Sequence, residues 1–218
     1  MSKLVFFDLD RTLLAYNSAS GWLRSEVRLG FISRYTAFRG FFLLLQYGLG
    51  ISSMEKPMRK AGQMLKGAKE DDLINRTNAF WEREVKHRIR DKANHVLEQH
   101  RAQGDQIVLL TSTSIYLGRC AASHFGIQHV LANRFIVENG LFTGEMVSPL
   151  CYGEGKVYHA EQLAEQLGES LSNSVFYTDS YSDLPMLLAV GNPVAVHPDN
   201  RLFRRARKEG WPIVKWSL

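Results

Sequence analysis

Apolar residues recur along this chain in two rhythms. Behind Lys3 an unbroken apolar run, Leu4 to Phe7, stops abruptly at Asp8. A run that is polar only at its end suits a strand buried on both faces of a parallel sheet. The same form recurs over 106–111, ending in Thr111, and over 174–179, ending in Thr178 and Asp179. Residues 193–196 and 212–216 are further strands. Between them apolar positions return at helical spacing, over about 91–103, 115–125, 156–168, 182–190 and 199–208. Strands that alternate with helices predict an α/β fold, a Rossmann-like doubly wound parallel sheet with right-handed crossovers.

The interval 15–88 departs from this rhythm. It reads as several amphipathic helices without a strand, with charge-rich stretches such as 82–88. The expected organisation is a core of 1–14 and 89–218 with an inserted all-helical cap domain of 15–88. Over 135–143, Asn139-Gly140 between two apolar runs is a hairpin signal.

With 45% of 218 residues hydrophobic, the chain can bury a core together with such an insert. Cys120 and Cys151 are too few for a disulfide framework and lack metal-ligand spacing. Asp8 and Asp10 arrive before any apolar stretch of signal-peptide length, so a reducing cytoplasmic setting is expected. The net charge of +5 suits anionic substrates. The densest basic stretch, 201–208, has the spacing of an exposed helix face, and no nucleic-acid-binding signature accompanies it, so nucleic acid is not an expected partner. The uncharged stretch 40–53 is shorter than the ~18–20 apolar residues of a spanning helix. It reads as a buried or lid-forming helix, with shallow contact at a membrane surface as the alternative.

Ligands of open parallel sheets bind beyond the carboxyl ends of the strands. Three predicted strands end there in groups suited to phosphate chemistry: Asp8, Thr111 and Asp179. A carboxylate can accept a phosphoryl group, and Asp8, nearest the strand, is the candidate nucleophile. Asp10, set back in the turn, is the candidate acid and base. Thr111 and Ser112 offer hydroxyl and N–H donors to phosphoryl oxygens. Lys156, behind the glycines of 152–155, offers a cation. Magnesium takes one or two carboxylates plus waters and substrate oxygens. Asp8 and Asp179 fit as those carboxylates, the Asp10 carbonyl as a third oxygen, and Asp183 as a group holding the ligand waters.

In this order the clusters resemble the haloacid dehalogenase superfamily of phosphatases, and most closely its phosphoserine phosphatase-like branch with a helical cap. The similarity rests on Asp8-x-Asp10-x-Thr12, Thr111, Lys156 and Asp179-x-x-x-Asp183. It implies a magnesium-dependent phosphomonoesterase, with Asp8 the nucleophile, Asp10 the acid/base, Thr111 and Lys156 the phosphate holders, and Asp8, Asp10, Asp179 and Asp183 the metal site. Two cap positions depart from phosphoserine phosphatases. Asn17 stands where they carry a glutamate, and Ala61 falls where they carry an arginine, with Arg59 and Lys60 close by; Thr12, Ser112, Asn17 and Arg59 are the candidate substrate- and phosphate-binding residues. Arg11 departs from the small or polar residue common between Asp10 and Thr12. The implied substrate is a small phosphorylated metabolite, phosphoserine-like or histidinol-phosphate-like. A lipid phosphate handled at a membrane surface is the alternative. A non-catalytic phosphate-binding protein of the same fold is disfavoured, because every expected acidic position is filled.

Overall fold

The structure, a computed structural model, describes residues 3–33 and 55–216. Six strands form one parallel sheet: β1 (Leu4–Phe7), β2 (Gln106–Ser114), β3 (His129–Asn133), β6 (Val175–Thr178), β7 (Asn192–Val196) and β8 (Ile213–Val214), in the order β3-β2-β1-β6-β7-β8. The chain leaves β1 toward β2 and β3, then returns and builds outward through β6, β7 and β8.

Alternation along β1 divides the core in two. Val5 and Phe7 face a cluster that includes Val96 and Leu97 of α4 (Asp91–Ala102) and Leu117 and Ala121 of α5 (Ile115–Phe125). Leu4 and Phe6 face Ala160 and Leu163 of α6 (Glu154–Gln166), Met186 and Leu187 of α7 (Leu184–Ala189), and Leu202 and Ala206 of α8 (Asn200–Glu209). A reversal of direction at β1, with crossovers of one hand, puts the helices of the two halves on opposite faces. The reversal opens a crevice at the carboxyl ends of β1 and β6.

Helices α1 (Ser18–Arg28), α2 (Glu55–Met64) and α3 (Glu70–Phe80) lie between β1 and α4 in sequence. The hairpin of β4 (Phe135–Glu138) and β5 (Leu141–Met146) stands apart from the main sheet. Its turn residues Asn139 and Gly140 have φ of 52° and 76°, the left-handed pair that a tight two-residue hairpin requires. A third apolar cluster, including Leu73 of α3, Tyr116 of α5 and Phe142 of β5, joins the helices to the hairpin and the core.

The sheet differs from the sequence expectation at its edges. Strand β3 was not among the expected strands: its apolar run is short, and it is only partly covered. Strand β8 holds just two residues of the expected 212–216, because the main chain of Trp216 is taken by the ring of His197. The basic stretch 201–208 lies in α8, which buries Leu202 and Ala206. Among the described residues no helix is long and apolar enough to cross a membrane, and the stretch 40–53 lies outside them.

Candidate active site

Strand β1 delivers Asp8 to the crevice, where its N–H donates to the Tyr177 carbonyl of β6 at 2.9 Å. The chain then enters a wide turn over Leu9–Leu13, closed by Leu14 N–H donating to the Leu9 carbonyl at 3.0 Å. Asp10 and Arg11 leave helical geometry within it, and Arg11 has φ of 58°, uncommon for a residue with a side chain. The turn faces the Asp10 carboxylate toward the start of α1. There the N–H of Ser18 donates to Oδ1 and its hydroxyl to Oδ2, both at 2.9 Å.

Lys156 lies in the first turn of α6 and is 1% exposed. Its Nζ donates to Asp8 Oδ1 and Asp183 Oδ2, each at 2.8 Å. The hydroxyl of Thr178, at the end of β6, donates to the same Asp183 oxygen at 2.7 Å. Close packing at Gly155 brings the lysine in: a Cβ there would stand 1.8 Å from the Leu150 carbonyl oxygen. Asp179 follows β6 directly, and its carbonyl accepts the N–H of Asp199 at 2.8 Å.

Four carboxylates therefore share this crevice with one buried ammonium. Burial pushes Asp8 up to about 7; Lys156 pulls it down, while Asp183 and Asp10 add repulsion. Burial, then repulsion from Asp8 and Asp183, pushes Asp179 up to about 8. Asp10 rises to about 6, chiefly by burial, with the two Ser18 hydrogen bonds holding it back. Burial opposes the charge on Lys156, but Asp183 and Asp8 overcome it and raise its pKa above the usual lysine value. Nearby, burial pushes the Cys151 thiol up to about 12, which favours the thiol over the thiolate.

The donor set fits a hard divalent cation. Its oxygens are crowded and short of positive charge, and an ion would offset the burial that raises Asp8 and Asp179 and relieve the repulsion that adds to it. Among the described residues no three His, Cys, Asp or Glu side chains form a ready cage. A hard cation such as magnesium takes one or two protein carboxylates and keeps waters and substrate oxygens as its other ligands.

The other predicted residues are placed unequally. Thr111 is buried at the end of the apolar part of β2, and its Oγ1 accepts the N–H of Thr113 at 3.2 Å. Beside it, Ser112 presents its carbonyl to the Nδ2 of Asn133 at 2.7 Å. Thr12 is fully buried, and its hydroxyl has no hydrogen-bond partner among the described residues. The Oδ1 of Asn17 is spent on the end of α1, accepting the N–H of Ser20 at 2.9 Å. Arg59, on α2, pairs with Glu55 at 2.9 Å and donates to the Ser148 hydroxyl at 3.1 Å. Ser18, Asn133 and Thr178 belong to the site's hydrogen bonding; of these the sequence marked only Thr178, as the residue before Asp179, and gave it no role. A serine at the start of the helix after Asp10 was the available sign for Ser18; Asn133 had none.

A doubly wound sheet with buried carboxylates and a lysine at its switch point defines a hydrolase core of the phosphoryl-transfer kind. The chain belongs to the haloacid dehalogenase-like hydrolase family, whose model matches residues 5–188. A phosphoserine phosphatase of Mycobacterium tuberculosis is 30% identical over 222 residues, which span 98% of this chain and 70% of that protein. A histidinol-phosphatase of Neisseria meningitidis is 25% identical over the full length of both chains. The crystal structure of a Bordetella pertussis protein of unknown function superimposes with a TM-score of 0.90 at 28% identity, covering 98% of this chain and 99% of that one. The chain is thus a hydrolase of this family, set among relatives named as phosphatases.

Proposed function

We propose that this protein is a magnesium-dependent phosphomonoesterase that works through an aspartyl phosphate on Asp8 and acts on a small phosphorylated metabolite. The observation that carries this reading is the pair of carboxylates at the end of β1, set two residues apart in different surroundings. Asp8 is held by a buried ammonium at 2.8 Å, which opposes the burial that lifts its pKa to about 7 and so favours the ionised form a nucleophile needs. Asp10 is held by Ser18 with a pKa near 6, suited to giving and taking a proton near neutrality.

In the first step Asp8 attacks phosphorus. Lys156 engages Oδ1, so Oδ2 is the oxygen left to form the new P–O bond. The ester P–O bond breaks, and Asp10 gives its proton to the departing alkoxide. In the second step water attacks the phosphoryl group, Asp10 takes the water proton, and the acyl–phosphate bond breaks to restore the Asp8 carboxylate. Lys156 and the Thr111 hydroxyl hold phosphoryl oxygens throughout. Asp8, Asp179 and the Asp10 carbonyl would hold the magnesium ion, with Asp183 behind them; when bound it neutralises charge on the phosphoryl group and the carboxylates.

Residues 15–88 are assigned as a cap that chooses the substrate, with 1–14 and 89–218 as the catalytic core. Relatives named for phosphoserine and for histidinol phosphate support an amino-alcohol phosphate as the substrate class. The test is phosphate release by wild type and Asp8→Asn across phosphoserine, histidinol phosphate, sugar phosphates and phosphatidylglycerophosphate, with magnesium and with chelator. Magnesium-dependent release that vanishes in the variant is expected. Substantial turnover by Asp8→Asn would sink the mechanism.

A further inference from the structure

Strand β2 carries a surplus of chain at the segment assigned to phosphate. Leu110 pairs with Leu131 and Ser114 with Asn133, so four steps along β2 are matched by two along β3. The surplus is a bulge around Thr111, Ser112 and Thr113, and a bulge leaves main-chain groups unmatched in the ladder. The Ser112 carbonyl is satisfied by a side chain instead, accepting from Asn133 Nδ2 at 2.7 Å.

The orientation of that amide is dictated from both sides. Asn133 Oδ1 accepts the N–H of Cys151 at 2.9 Å, a group that only donates; the Ser112 carbonyl only accepts. Asn133 is 4% exposed, so solvent does not substitute for either bond.

The rigid peptide unit carries the effect to Thr111. The carbonyl of Ser112 and the N–H of Thr113 belong to one planar trans peptide and point in opposite directions. Fixing the carbonyl aims the N–H at Thr111 Oγ1, 3.2 Å away. An oxygen that accepts there turns its proton outward. That proton now makes only a 3.3 Å contact with the Thr113 hydroxyl, which a phosphoryl oxygen would displace. On its other side the amide holds Cys151, in the loop that leads into α6 and Lys156. Both cationic and hydroxyl donors to phosphate are thereby tied to one buried side chain.

We infer that Asn133 is a positioning residue: it sets the Thr111 hydroxyl as a donor to the transferring phosphoryl group and fixes its spacing from Lys156. This rests on the phosphatase reading above. Asn133→Asp is the discriminating variant, since it keeps an acceptor for Cys151 but places an oxygen against the Ser112 carbonyl. The expected result is about a tenfold fall in kcat/KM and a comparable weakening of inhibition by orthovanadate, the scale of one lost hydrogen bond. Asn133→Asp combined with Thr111→Ala should be no worse than Thr111→Ala alone, whereas a merely structural role gives losses that multiply. Should the aspartate variant not fold, Asn133→Ser, which is expected to lose hold of Cys151 as well, is judged by orthovanadate inhibition instead, and inhibition at the wild-type level overturns the role. Full kcat/KM in a folded variant, or multiplying losses, overturns the positioning role alone. A wild-type protein that neither hydrolyses a phosphomonoester nor is inhibited by orthovanadate sinks the functional reading and this inference with it.

Discussion

Ser18 serves Asp10 twice, its main-chain N–H donating to Oδ1 and its hydroxyl to Oδ2, each at 2.9 Å. Both bonds favour the ionised carboxylate and oppose the burial that lifts its pKa to about 6. Replacing Ser18 with alanine removes the hydroxyl bond and leaves the main-chain one. The Asp10 pKa then moves further up. Breakdown of the aspartyl phosphate needs Asp10 deprotonated, so the acid limb of its rate profile should shift to higher pH. Below the new pKa the rate should fall roughly tenfold, the scale of one lost hydrogen bond. Single-turnover dephosphorylation measured against pH checks this, and an unmoved limb would refute the assignment of Asp10 as the base.

Among the described residues Lys156 is the cation bonded to the carboxylates of this crevice, at 2.8 Å from both Asp8 and Asp183. Lys156→Met leaves those charges unpaired. Breaking a buried pair on one side costs about 3–5 kcal/mol, and urea unfolding near neutral pH should show a loss of that order. Activity should vanish as well. In acid the carboxylates take up protons, so the difference between wild type and variant should shrink; a difference independent of pH would count against the buried charge as its cause.

Asn17 and Arg59 were expected to face substrate. In the structure the Asn17 side chain closes the first turn of α1 on Ser20 N–H, as an N-cap does. Asn17→Ala should therefore cost about 1 kcal/mol in urea unfolding and leave KM unchanged. A raised KM at unchanged stability would return Asn17 to the substrate.

What could be read in advance follows from how local each signal is. The central strands announce themselves because burial on both faces makes them continuous apolar runs that break at Asp8 and Asp179, and Asn139-Gly140 marks its turn by backbone conformation alone. Residue spacing in four clusters identified the family. Strand β3 escaped because three of its five residues are only half covered, and the extension of β2 past Thr111 escaped because a bulge has no periodicity. Asn133 could not be read at all. Its partners, Ser112 and Cys151, lie 21 and 18 residues away and meet it only once the sheet has formed.

Stability should show the need for a divalent cation directly, without any substrate. Asp8, Asp10 and Asp179 stand at about 7, 6 and 8 in the folded protein, against the ordinary 3.8 of the unfolded chain. Between those values the folded state binds more protons than the unfolded one, so stability falls as pH rises. The contribution of these groups is complete below 3.8 and is lost as pH passes through their folded values. A cation among the same oxygens replaces the protons and competes with them. Magnesium should therefore raise Tm little at about pH 5.5, where the carboxyls are largely protonated, and much more at about pH 8. Thermal unfolding with magnesium and with chelator at both pH values decides it. Asp179→Asn should abolish most of the gain at the higher pH, because it removes a proposed ligand. Equal gains at the two pH values, or a full gain in Asp179→Asn, would place the ion somewhere other than this cluster.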